Sequence, residues 1–202
     1  MSNFSPVASG GNTADAANTR NFLQQAVDNC PRLAAFSFTL KLPYRETTSE
    51  YRSLILRFHT EVWQRTGEYS EQRHKERRNS PRTILRWMWE SVSAAECRMV
   101  LMLNLDTLGT ELNPQMADGA PQALNTIIAD AWQTVAGTAC AGVTSMTQNI
   151  ISRADRDAFT VPFNQLKTRM QEMTLPVTLA RTDVICAGAR TLTMRKDVTL
   201  RL

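Results

Sequence analysis

The chain has 202 residues, with 23 Lys and Arg against 19 Asp and Glu, a net charge of +4 and 43% apolar residues. This is the composition of a soluble globular protein, with enough chain for one sizeable core, and its mild basic balance permits a nucleic-acid partner without requiring one. No apolar run reaches transmembrane length and the N-terminus lacks the basic start and apolar stretch of a signal peptide, so a cytoplasmic, non-membrane protein is expected.

Residues 1–16 (MSNFSPVASGGNTADA) are small and polar and are expected to form a disordered tail; residues 17–202 are expected to form a single α+β domain. Phe22, Leu23, Ala26 and Val27 recur at helical spacing, which predicts a short helix. In RLAAFSFTLKLPY, Phe36, Phe38, Leu40 and Leu42 alternate with Ser37, Thr39 and Lys41, the pattern of a strand with one buried face that ends at Pro43. Leu54, Ile55, Phe58, Val62 and Trp63 then mark a helix, capped by Thr48 or Ser49, with His59 beside the apolar stripe and facing solvent.

The most charged segment, SEQRHKERRNSPR, follows. After it TILRWMWES alternates Ile84, Arg86, Met88 and Glu90 with Leu85, Trp87 and Trp89, and CRMVLMLNLD is a second strand. The short SVSAAE between them makes the two adjacent and antiparallel. Beyond the broken stretch GTELNPQMADGAPQ, a helix is predicted with Leu124, Ile127, Ile128, Ala131, Trp132 and Val135 on one face and Gly137 as its stop. CAGVTSMTQNIISRADRD can hold a strand, VPFNQLKTRMQEM a helix, and the tail from Pro176 strand-like pieces. The order predicts an antiparallel or mixed sheet with helices packed on one face, and no internal repeat is visible.

The candidate chemistry is sparse. Cys30, Cys97, Cys140 and Cys186 are far apart, form no C-x-x-C pair and are expected to be reduced core thiols. His59 and His74 are the only histidines, and no H-E-x-x-H, phosphate-binding loop, dinucleotide fingerprint or G-x-S-x-G elbow occurs, so neither a metal nor another cofactor is expected. Arg73, Lys75, Arg77, Arg78, Arg82 and Arg86 make a basic run suited to phosphate, with a solvated loop as the bland alternative. Trp87 and Trp89 are placed in the core rather than assigned to base stacking. Glu90 and Glu96 flank the hairpin connection as strand-end residues, and a catalytic carboxylate pair there requires a cleft that sequence does not reveal.

In order and spacing, RLAAFSFTLKLPY, LRWMWES, MVLMLNLDTLG and IIADAW, with AGARTLTMRK near the end, resemble the inovirus Gp2-like family, which includes the YagK/YfjJ-type prophage proteins. The resemblance spans about residues 32–196. It implies a replication-initiator (HUH)-like fold, in which a histidine–hydrophobic–histidine strand holds a divalent metal and a tyrosine attacks a DNA phosphate. Aligned through Asn104, those histidine positions hold Glu96 and Arg98, and no tyrosine follows Tyr69. Arg98 is cationic and has no lone pair to offer a metal, so the pair is a degenerate metal site.

The expectation is a catalytically inactive replication-initiator-like protein of a prophage or mobile element. It would bind single-stranded or hairpin DNA as a regulator, through the basic run together with Arg98. The alternative is a protein-interaction module that engages a host or phage protein without binding nucleic acid. Exposed apolar residues on the Trp132 helix or around Met99 and Met102 would favour that alternative.

Overall fold

The computed structural model describes residues 11–76, 84–90, 95–108, 119–137, 142–154 and 157–182. In chain order the elements are α1 (Gly11–Asn29), β1 (Arg32–Lys41), α2 (Thr48–Glu76), β2 (Ile84–Glu90), β3 (Glu96–Asn104), the single turn α3 (Leu105–Leu108), α4 (Gly119–Ala136), β4 (Val143–Ser152), α5 (Asp157–Gln171) and β5 (Pro176–Thr182). The five strands form one sheet in the order β4-β1-β3-β2-β5. All four pairings are antiparallel, so the sheet is antiparallel and not mixed. From β1 to β4 the chain follows the β-α-β-β-α-β split arrangement, to which α1, α5 and β5 are added.

Strand alternation sorts the side chains between two cores. On the first face, Ala34, Phe36, Phe38 and Leu40 of β1, Leu85, Trp87 and Trp89 of β2 and Cys97, Met99, Leu101 and Leu103 of β3 are buried against α2 and α4. Phe58 of α2 is the hub, edge-on to Phe38, Trp87 and Trp132 at centroid distances of 6.3, 5.8 and 5.4 Å. Both hairpin tryptophans are therefore core residues. Each such aromatic contributes ~1.5–3 kcal/mol of transfer free energy.

The second face is also covered, contrary to the expectation of helices on one side. Leu33, Ala35, Met88, Val100, Met102 and Ile151 of the sheet pack against Leu23, Ala26 and Val27 of α1 and Leu166 and Met170 of α5. The reason lies in Leu33 and Ala35 of β1 and Val100 and Met102 of β3, which put apolar side chains on the second face as well and cannot be left in water. This face also requires α1, which begins at Gly11 and so takes in the last residues of the stretch assigned to the tail; residues 1–10 lie outside the described residues.

Local chemistry explains several element ends. The cap of α2 is Thr47, and not the expected Thr48 or Ser49. Thr47 Oγ1 accepts the Glu50 N–H at 3.2 Å and Glu50 Oε2 accepts the Thr47 N–H at 3.0 Å, a reciprocal capping box. At its other end α2 continues to Glu76 and takes in the first part of the charged segment, which is rich in good helix formers. Gly137, at φ 87°, ends α4 and donates its N–H to the Gln133 carbonyl at 2.9 Å. Asn104 closes β3 by accepting the Asp106 N–H at 3.0 Å, and Asp106 pairs with Arg32 at 3.3 Å.

His59 departs from expectation. It is fully buried, stacked on Trp87 at 4.3 Å and edge-on to Trp89 at 4.6 Å. Met99, Met102 and Trp132 are themselves buried, and the large apolar residues exposed among the described ones, Tyr44, Leu56, Ile150, Val161 and Leu175, lie outside the Trp132 helix. Among the described residues no helix is long and apolar enough to cross a membrane.

Candidate functional site

The charged mouth of β3 lies on the second face. Cys97 points into the first core, while Glu96 and Arg98 point the other way, paired across β1 with Lys41 and Thr39. On the other side, β2 pairs Met88 with Val100 and Trp89 with Met99. Extending that register by one pair sets Glu90 opposite Arg98. The two form an ion pair: Arg98 Nε donates to Glu90 Oε1 at 2.9 Å, and Nη2 donates to the same oxygen. Glu90 therefore meets an arginine there and does not act as half of a Glu90–Glu96 carboxylate pair.

This pair holds a third segment. After α5 the chain crosses the sheet from the β4 side to reach β5 at the opposite edge. Arg98 Nη2 donates to the Glu172 carbonyl at 2.7 Å, and the Thr174 N–H donates to Glu90 Oε1 at 3.1 Å. Met173, between them, is buried in the second core. The crossing is thus pinned first by β3 and then by β2. Burial of Glu90 opposes its charge, but the Arg98 hydrogen bond, the Thr174 N–H and the Arg98 charge outweigh that penalty and hold its carboxyl below the ordinary carboxylate range. The hydrogen bond to Glu90 in turn raises the pKa of Arg98.

These groups do not fit a divalent metal. Arg98 is cationic, has no free lone pair and is already engaged, and Glu96 is exposed beside Lys41. Among the described residues no group of three His, Cys, Asp or Glu is placed to hold a metal ion. Cys97 is no nucleophile: burial first, and the Glu90 charge second, push its thiol up to about 12. Cys30 is also buried and free, its pKa raised by burial against the opposing charge of Arg86. Cys140 and Cys186 lie outside the described residues.

The helix α5 packs over this face. It presents Gln165 and Arg169 to β4: Arg169 Nη1 donates to Asn149 Oδ1 at 3.2 Å and to Thr147 Oγ1, and Asn149 Nδ2 donates to Gln165 Oε1 at 3.2 Å. This network and the crossing at Glu172 and Thr174 have no signature in the sequence. The Glu90–Arg98 pair does have one, an opposite-charge pair across a hairpin, but reading it requires the register.

The candidate DNA contacts fall into two places. Arg73 and Lys75 lie in the last turns of α2, and Arg77, Arg78 and Arg82 lie outside the described residues between α2 and β2. Arg86 is on β2 opposite Met102, its Nε buried and without a hydrogen-bond partner among the described residues. Arg98 stands four residues before Met102 on β3, ~14 Å away at strand rise. Arg86 is therefore nearer the end of the sheet where β2 begins, and Arg98 is nearer the other.

A family model described as "Uncharacterised conserved protein UCP030791" matches residues 10–148. No curated protein and no solved structure matches the chain. The matched span runs from α1 into β4 and includes both Glu90 and Arg98, while α5 and the crossing to β5 lie beyond it. With well over half of its length matched, the chain belongs to the family of conserved proteins UCP030791.

Proposed function

We propose that this protein is a non-catalytic, replication-initiator-like nucleic-acid-binding protein, a regulator that engages single-stranded or hairpin DNA of a mobile element. The observation that carries the reading is the Glu90–Arg98 ion pair on the second face of β3. At the two positions where the Gp2-like resemblance calls for metal ligands, the chain has Glu96 and an arginine tied into a structural bond. The split β-α-β-β-α-β sheet, with a helix packed over that face, supports the same scaffold.

In this reading the DNA contacts are Arg73, Lys75, Arg77, Arg78, Arg82 and Arg86, which follow one another in the chain from the last turns of α2 into β2. Arg98 contributes little, because Glu90 neutralises it. The test is binding of labelled single-stranded and hairpin oligonucleotides at rising salt. Neutralising about four to six phosphates on a single strand gives a slope of about −3 to −4 in log affinity against log salt. Replacing Arg77, Arg78 and Arg82 by Gln flattens that slope, whereas Arg98→Met leaves it nearly unchanged. Affinity that is absent at low salt, or indifferent to salt, rejects the reading.

A further inference from the structure

The sheet has two edges, and they differ. β5 opens on Pro176 and carries Arg181, two devices that discourage another strand from pairing. β4, VTSMTQNIIS, is ten residues long and has no charge, no proline and no glycine. Its inner side pairs with β1, and among the described residues no strand pairs with its outer side. Helices α4 and α5 flank it from the two faces of the sheet. Gln148 and Ile150 are exposed on the α4 side, Ile150 at 42%.

A bulge blunts only the beginning of this edge. The register to β1 shifts between Ser37 and Thr39, where Ser145 has φ 55°. Beyond it, residues 146–152 continue as regular strand. A ladder of unsatisfied N–H and C=O groups on such a stretch is a template for another strand.

We propose that this edge pairs with the β4 of a second copy of the chain, joining two sheets across a two-fold axis. The charge pattern selects that occupant. In an isologous antiparallel pairing each strand lies against itself, so any charged residue near the axis would face its own copy at strand-pair distance. β4 carries no charge, although 42 of the 202 residues of this chain are charged by the sum of 23 basic and 19 acidic. Side-chain contact is limited to residues such as Gln148 and Ile150, so the pairing is weak and reversible.

The test uses the full chain, by sedimentation and by amide hydrogen exchange, at about 5 to 500 μM. The expected result is a species of twice the 22.7 kDa chain mass that grows with concentration, with exchange in residues 146–152 slowing in parallel. Gln148→Lys with Ile150→Lys opposes like charges across the axis and returns the protein to a single chain; Gln148→Lys alone does the same in part and covers the case in which the double variant folds poorly. A wild-type protein that stays single throughout overturns the proposal. So does a dimer indifferent to both variants. Protection of 146–152 that is independent of concentration also overturns it, because another part of the same chain then covers the edge.

Discussion

Glu90→Gln tests the central geometric claim, that the charged mouth of β3 is a structural clasp. The substitution keeps the size of the side chain and removes its charge. Arg98 is 44% exposed on its side chain and Glu90 15%, so the coulombic part is screened and is worth no more than the ~0.2–1 kcal/mol of a surface pair. Weakening the bond that Glu90 Oε1 accepts from the Thr174 N–H adds up to ~1 kcal/mol. The expected loss is up to ~2 kcal/mol, which at ordinary slopes moves the urea midpoint down by up to about 1 M. Arg98→Met and the double variant complete a cycle with a coupling of ~0.5–1 kcal/mol. The pH dependence has a definite sign. The Glu90 pKa is lowered in the folded protein, so its contribution is present above the ordinary carboxylate pKa and is lost as pH falls through the depressed folded value. The wild-type advantage over Glu90→Gln therefore shrinks on acidification below about pH 4.3. Amide exchange at Thr174 should accelerate in the variant. A coupling of zero, with unchanged Thr174 exchange, would falsify the clasp and return Arg98 to the pool of free cations.

Three further outcomes follow from the same structure. Leu175 is 66% exposed at φ 45°, a conformation that costs a branched side chain ~1–2 kcal/mol, so Leu175→Gly should raise stability by ~0.5–1 kcal/mol after the added freedom of the unfolded chain is subtracted, measured by urea unfolding. Phe58→Ala removes the ring that meets Phe38, Trp87 and Trp132 and should cost ~3–5 kcal/mol, seen as a large drop in thermal midpoint. Cys30 and Cys97 should resist alkylation in the native protein and react on unfolding, as read by peptide mass spectrometry; rapid native labelling of Cys97 would contradict its burial.

The two central strands and the long helix were legible in the chain because their patterns are local. The alternation of Phe36, Phe38 and Leu40 places them on one face, and Leu54, Ile55, Phe58 and Val62 make one helical stripe. The same logic put Trp87 and Trp89 in the core, the hairpin between β2 and β3, and the stop at Gly137. His59 was misplaced because a polar side chain at the border of a stripe can turn either way, and only the packed Trp87 and Trp89 rings decide it.

What sequence determined by itself is the run of elements from the first helix to the Trp132 helix apart from the single turn α3, the identity of the first core and the absence of histidines at the β3 mouth. Those depend on residue type and on separations of two to four positions. Tertiary structure alone decided that helices cover both faces, that Arg98 is bonded to Glu90 and to the Glu172 carbonyl, and that it stands toward the other end of the β2–β3 pair from Arg86. Those facts depend on strand register and on contacts between residues far apart in the chain, such as Glu90 and Thr174, 84 positions apart. Shifting a register by one residue turns every side chain to the other face, and no local pattern in the chain specifies it.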